Sequence, residues 1–218
     1  MKISTPPRAL IFDWDNTLVD SWAAIRTAIN VTREAFDKAP WTMEEVRQNC
    51  GLAARDIFPE WFGKEWEKAY DIFYKSFDDV RNQYGLQPGH GSHELLLWLK
   101  SRNIPSFVVS NKRGDYLRQE SAQLKWNDLF LALIGSMDAP RDKPARDPVD
   151  MALKHGNLTP DASIWFVGDT GTDVQCARNA GCTPVFIGSK EEAEKEGVSL
   201  LFQDCRSLHV MLEKLFAG

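Results

Sequence analysis

The sequence predicts an α/β fold, a doubly wound parallel sheet with a small helical domain inserted into it. Three observations lead there. Short apolar runs recur along the chain and stop abruptly at acidic or small polar residues; stretches of helical periodicity separate them; and one interval between runs is far too long for a simple crossover.

Arg8 to Asp13 (Arg-Ala-Leu-Ile-Phe-Asp) is the first run, and it ends in acidic residues as a buried parallel strand does when it delivers side chains to its carboxyl end. Pro105 to Ser110, Leu131 to Gly135, Ser163 to Asp169 and Pro184 to Ile187 repeat the pattern. Helical periodicity fills the spaces between them near Ser92 to Lys100, Asp115 to Leu124, Pro148 to His155 and Thr172 to Ala180.

The first interval breaks the rhythm. Ser110 follows Asp13 by 97 positions, whereas Lys143 follows Ser110 by 33 and Asp169 follows Lys143 by 26. A complete strand–helix–strand unit needs only about 30 residues. The first crossover therefore holds an insertion, expected to be a helical cap over 21–84, leaving 1–20 and 85–218 as the α/β core. Its sequence is aromatic-rich, with Trp22, Phe36, Trp41, Trp61, Trp66, Phe73 and Phe77. Gln87-Pro88-Gly89 is a turn that would return the chain to the core.

Composition narrows the function classes. Of the 218 residues 43% are hydrophobic and 26% charged, ordinary values for a globular chain with ample material for a core. A net charge of −5, with no block of Lys and Arg, argues against nucleic acid as a partner. Cys50, Cys176, Cys182 and Cys205 show neither metal-site spacing nor the density of a disulfide scaffold, so they read as free thiols. Met1 to Arg8 has no apolar run of a signal peptide, and no stretch reaches the ~18 apolar residues of a membrane span. The expectation is a cytoplasmic protein, monomer or homodimer, without a membrane partner.

Asp13-Trp14-Asp15-Asn16-Thr17 places two carboxylates one residue apart at the carboxyl end of the first strand, the edge where ligands bind in open α/β sheets. A turn just after Asp13 must bend the chain if both are to converge, since alternate strand residues point to opposite faces. Asp13 then suits a nucleophile and Asp15 a general acid and base, although a solvated acidic turn is the plainer reading of the pair alone. Gly168-Asp169-Thr170-Gly171-Thr172-Asp173 brings two more carboxylates to the end of another strand, just before a helix. Together these acids form an oxygen cage of the kind magnesium favours, with helix-dipole stabilisation as the other reading of Asp173. Attack by a carboxylate on a phosphate dianion meets a repulsion of ~4 kcal/mol at ~4 Å and an effective dielectric near 20. Lys143 lies between the acidic strand ends and is the candidate for the compensating charge, where a loop lysine is otherwise merely solvated. Ser110 and Asn111 end their strand with a hydroxyl and an amide, suited to phosphate oxygens or equally to a turn and helix cap. Thr17 is a further expected phosphate contact.

In order and spacing, Asp13 to Thr17, Ser110-Asn111, Lys143-Pro144 and Gly168 to Asp173 resemble the four motifs of the haloacid dehalogenase superfamily, with its Rossmann-like core. The resemblance implies that Asp13 is the nucleophile, Asp15 the acid and base, and Ser110 and Lys143 the grip on the transferring phosphoryl group. It implies magnesium held by Asp13, the main-chain carbonyl of Asp15 and Asp169, with Asp173 in support. The insertion is similar to the helical cap of the phosphoglycolate phosphatase and β-phosphoglucomutase branch. Cys50 to Arg55 resembles the cap loop that reaches the substrate there, so Arg55 is a candidate contact to the leaving group. Asn16 stands where close relatives often have glycine, and Lys143-Pro144-Ala145-Arg146-Asp147-Pro148 lacks an early second proline.

The expected function is hydrolysis of a small phosphorylated metabolite through an aspartyl-phosphate. A sugar-phosphate mutase would keep every one of these motifs. A dehalogenase is disfavoured because the resemblance says that it lacks the second carboxylate, here Asp15. A different class of reading is a non-catalytic protein that binds a partner through the tryptophan-rich insertion.

Overall fold

A computed structural model describes residues 5–217. Part of the expectation about a leader, over Met1 to Arg8, therefore falls outside the described residues. The chain divides into two compact units, Met1–Val19 with Pro88–Gly218, and Asp20–Gln87.

The first unit is built on a six-stranded sheet in the order β5-β4-β1-β6-β7-β8. Its strands are β1 (Ala9–Phe12), β4 (Ser106–Arg113), β5 (Ala132–Ser136), β6 (Ile164–Gly168), β7 (Thr183–Ile187) and β8 (Leu201–Phe202). Every pairing is parallel. β1 lies at the centre, and its four residues are wholly buried, which is why it reads as a continuous apolar run. Ala9 and Ile11 point to one face, where they join Phe107, Ile134, Val149, Ala152, Cys176 and Ala177 in a single cluster. Phe107 and Ile134 belong to β4 and β5, and the other four come from α7 (Asp147–Lys154) and α8 (Gly171–Ala180). Leu10 and Phe12 point to the opposite face by the two-residue period of a strand and are equally buried. α6 (Gly114–Gln123) packs on β4 and β5, and α5 (Ser92–Ser101) packs on β4 and on α10 (Cys205–Ala217).

The sequence expectation for five strands and four helices holds here within a residue or two at most ends. β4 is the exception, running three residues past Ser110 with a shift in its register against β5 between Val109 and Arg113. The periodicity missed β8, too short to show alternation, as well as α10 and α9 (Lys190–Lys195). Two short strands, β2 (Val19–Asp20) and β3 (Gln87–Pro88), pair where the chain leaves this unit and returns to it.

The second unit is helical: α1 (Trp22–Glu34), α2 (Met43–Asn49), α3 (Ala54–Phe62) and α4 (Trp66–Tyr84). α4 packs along α1 and α3. Its aromatic content makes a core. Phe58 sits within ring-contact distance of Trp61, Phe62, Tyr70 and Phe73, with Trp22, Phe36, Trp41 and Trp66 packed around the same cluster. Thr42 starts α2 with a capping box, its hydroxyl accepting from the Glu45 N–H while the Glu45 carboxylate accepts from the Thr42 N–H.

Candidate active site

β1 is flanked by β4 on one side and β6 on the other, so the connections leave it in opposite directions and a crevice opens beyond its carboxyl end. Register fixes what meets there. Phe12 pairs with both Val108 and Val167, so Asp13, Ser110 and Gly168 arrive at the same edge. The Asp13 N–H still donates to the Val167 carbonyl at 2.8 Å, and the chain then turns out of the strand. Asn16 takes a left-handed conformation (φ 65°), and its N–H donates to the Val19 carbonyl at 2.6 Å. Asparagine tolerates that region better than most residues, which accounts for its presence at a position where the resemblance leads one to expect glycine.

Lys143 is the hub of the crevice. It is buried, and its Nζ donates to Asp13 Oδ1 at 2.6 Å and to Asp173 Oδ1 at 2.7 Å. Asn111 fixes the lysine by its backbone: the Lys143 N–H donates to Asn111 Oδ1 at 3.0 Å, and Asn111 Nδ2 donates to the Lys143 carbonyl at 3.2 Å. Asp173 is held by its own helix start, where Oδ2 accepts from the N–H and the hydroxyl of Thr170. Thr17 donates to Asp169 Oδ1 at 3.1 Å. Asp13, Asp169 and Asp173 each offer an oxygen within 4.8 Å of the others.

Three carboxylates around one ammonium leave an excess of negative charge. Burial pushes the Asp13 carboxyl up to about 6 from its ordinary 3.8, with Lys143 opposing and Asp173 adding to the rise. Burial, then the charges of Asp13 and Asp173, hold Asp169 well above the usual carboxylate range. Burial also works against the charge of Lys143, yet Asp13 and Asp173 outweigh it and keep the ammonium protonated. Such a cluster suits a divalent cation, because oxygen ligands are already gathered and one ammonium relieves their mutual repulsion only in part.

A second cluster adjoins the first and was not foreseen from the sequence. Lys112 Nζ donates to Asp15 Oδ1 at 2.6 Å and lies 3.1 Å from Glu120 Oε2, which also accepts from Trp14 Nε1 at 2.7 Å. The Asp15 carboxylate is therefore directed to Lys112, apart from the three gathered aspartates. Ser110 Oγ accepts from the Lys112 N–H at 3.2 Å. A signal for this cluster does exist in the sequence. On α6, Glu120 falls three and four residues after Leu117 and Tyr116, on the apolar stripe, where an acid needs a buried partner. Arg55 lies in the second unit, on α3.

The close approach of β6 to α8 depends on Gly168, where an added Cβ would meet Asp173 Cβ at 2.3 Å. Gly168→Ala is expected to destabilise the protein by ~1–3 kcal/mol through overpacking. A thermal melt that matches the wild type would show that α8 can shift away freely.

The sequence matches the pattern of the family described as haloacid dehalogenase-like hydrolase over residues 10–187. Among curated proteins it is 29% identical to phosphoglycolate phosphatase 1 of Pseudomonas aeruginosa, covering 93% of this chain and 78% of that one. It is 26% identical to phosphoglycolate phosphatase of Chromobacterium violaceum, covering 94% and 96%. Among solved structures it resembles a haloacid dehalogenase-superfamily hydrolase from Ehrlichia chaffeensis, with TM-score 0.69 and 28% identity over 97% of this chain and 98% of that one. A hydrolase from Pseudomonas syringae shares the fold with TM-score 0.80, at 20% identity over 94% and 98%.

Proposed function

The chain belongs to the haloacid dehalogenase-like hydrolase family, and from that premise we propose that it is a magnesium-dependent phosphatase of small phosphomonoesters, with a phosphoglycolate-like metabolite as the first substrate class to test. The observation that carries the reading is the meeting of Asp13, Lys143, Asp169 and Asp173 at the carboxyl edge of β1, one ammonium among three carboxylates.

Asp13 would attack the phosphorus in line with the leaving oxygen and become an aspartyl-phosphate. Asp15 would protonate the departing alkoxide, then remove a proton from the water that hydrolyses the intermediate. Lys143 stands beside the attacking oxygen and would neutralise charge that grows on the phosphoryl oxygens, while Ser110, Asn111 and Thr17 complete the polar wall of the crevice. The donor set fits a hard cation. Asp13, Asp169 and the Asp15 carbonyl would hold magnesium, with Asp173 in support, and the bound ion would supply positive charge at the phosphoryl group. The insertion would serve as the cap, with Arg55 as its contact to the leaving group. Among the described residues no helix is long and apolar enough to cross a membrane.

The test is hydrolysis of p-nitrophenyl phosphate, with magnesium and with EDTA, followed by a panel of phosphoglycolate, sugar phosphates and nucleotides. Release of phosphate that stops in EDTA and resumes with magnesium is the expected result. Undiminished activity in EDTA would refute the metal-dependent mechanism. Transfer of phosphate between positions of a hexose phosphate, without release, would favour a mutase.

A further inference from the structure

We infer that Lys112 is a positioning residue for Asp15, held in place by Glu120 and Trp14. The inference deepens the proposed function, since it rests on reading Asp15 as the group that handles the leaving-group proton. Its basis is the hydrogen-bonded chain Trp14 Nε1 to Glu120 Oε2 at 2.7 Å, Glu120 Oε2 to Lys112 Nζ at 3.1 Å, and Lys112 Nζ to Asp15 Oδ1 at 2.6 Å.

The burial of this chain is its most telling property. The side chains of Lys112 and Glu120 are 4% and 0% exposed, whereas that of Asp15 is 19% exposed and so the one acid of the set within reach of a ligand. Taking a lysine and a glutamate out of water carries a desolvation penalty of several kcal/mol per ion, and hydrophobic residues of similar volume are often as stable or more so. Stability alone is therefore a weak reason for the pair.

Geometry supplies a better one. Trp14 lies between the two motif aspartates in sequence, and its wholly buried ring packs edge-on to Trp126 at 5.7 Å between centroids. The indole thus anchors the turn from below while its N–H fixes Glu120. Glu120 in turn directs Lys112, and Lys112 grips a single oxygen of Asp15. An aspartate has two soft torsions, and a carboxyl bound through Oδ1 presents its second oxygen in one direction. A displacement of ~1 Å at a proton-transfer group can lower a rate by ~100-fold.

The test compares two substrates. p-Nitrophenyl phosphate has a leaving group stable without a proton; an alkyl phosphate such as phosphoglycolate needs one. Lys112→Met keeps the buried stem and removes the ammonium. It is expected to lower kcat/KM, which reports formation of the aspartyl-phosphate and not its hydrolysis, by ~100-fold for the alkyl phosphate and by less than ~5-fold for the aryl phosphate. Glu120→Gln retains an acceptor for Trp14 and should act in the same direction by a smaller factor, which guards against a Lys112 variant that fails to fold. Asp15→Asn is the reference and should show the same preference more strongly. Should Asp15→Asn prefer the aryl substrate while both other variants slow the two substrates equally, Lys112 has no positioning role and the inference falls alone. If Asp15→Asn also treats the substrates alike, the reading of Asp15 falls with it.

Discussion

Asp13→Asn is expected to lower hydrolysis of p-nitrophenyl phosphate by ~10⁴-fold or more, the scale on which removal of a covalent nucleophile acts. The substitution is nearly isosteric. An asparagine carbonyl oxygen can still accept from Lys143 Nζ, now 2.6 Å from Asp13 Oδ1, so the crevice keeps its shape while the attacking group is lost. Acid quenching during turnover should trap a phosphorylated wild-type protein, seen as added phosphoryl mass, and none in the variant. Activity within ~10-fold of the wild type would end the nucleophile assignment. A second readout follows from burial, which raises the Asp13 carboxyl from 3.8 to about 6. The folded protein then holds this proton more tightly than the unfolded chain, so stability is full below pH ~4 and declines as pH rises to ~6, by ~3 kcal/mol at most. The metal-free variant, with no carboxyl at that position, should lose less stability across the same window. Parallel pH profiles for the two proteins would show that the carboxyl is better solvated than its surroundings suggest.

Much of this crevice was legible because its groups follow from strand ends. An apolar run that stops at Asp13 or at Asp169 states both that a parallel strand is present and which side chains its carboxyl edge delivers. Lys143 was legible only through its spacing between those ends, since nothing local distinguishes a buried loop lysine from a solvated one. Asn111 illustrates what residue type leaves open. Its amide was expected toward phosphate oxygens, and in the structure it braces the main chain of Lys143 with one donor and one acceptor. Lys112 and Glu120 stayed hidden because their pairing is tertiary. The 3.6-residue period of α6 turns Glu120 inward but does not name its partner, and the register shift in β4 that accompanies Lys112 cannot be read from a two-residue period. β8 and α10 were missed for a simpler reason. Two residues, Leu201 and Phe202, show no period, and a strand so short does not announce the α10 that follows it.

Asp169→Asn is expected to move stability and activity in opposite directions. In the metal-free protein Asp169 adds a third carboxylate to Asp13 and Asp173, with Lys143 the ammonium bonded to the other two. Burial and those neighbours hold it well above the ordinary carboxylate range, so its ionisation works against the folded state. The amide can still accept from Thr17, now 3.1 Å away, and relieves the repulsion. Without metal the variant should therefore melt higher, by about 2–4 °C for each 1 kcal/mol relieved in a chain of this size. The same change replaces an anionic oxygen ligand with a neutral amide oxygen, a much weaker donor to a hard cation. Wild-type protein at a magnesium concentration of ~100 times its dissociation constant should gain ~2.7 kcal/mol, or about 5–10 °C, and the variant should gain little. Loss of the cation's charge at the phosphoryl group should slow catalysis by ~10²–10³-fold. The two outcomes must come together, because both arise from the same excess of negative charge. A variant that melts higher but keeps the full magnesium shift would place the cation elsewhere, and one that melts lower would mean that the Asp169 carboxylate, bonded to Thr17, is already balanced in the metal-free protein.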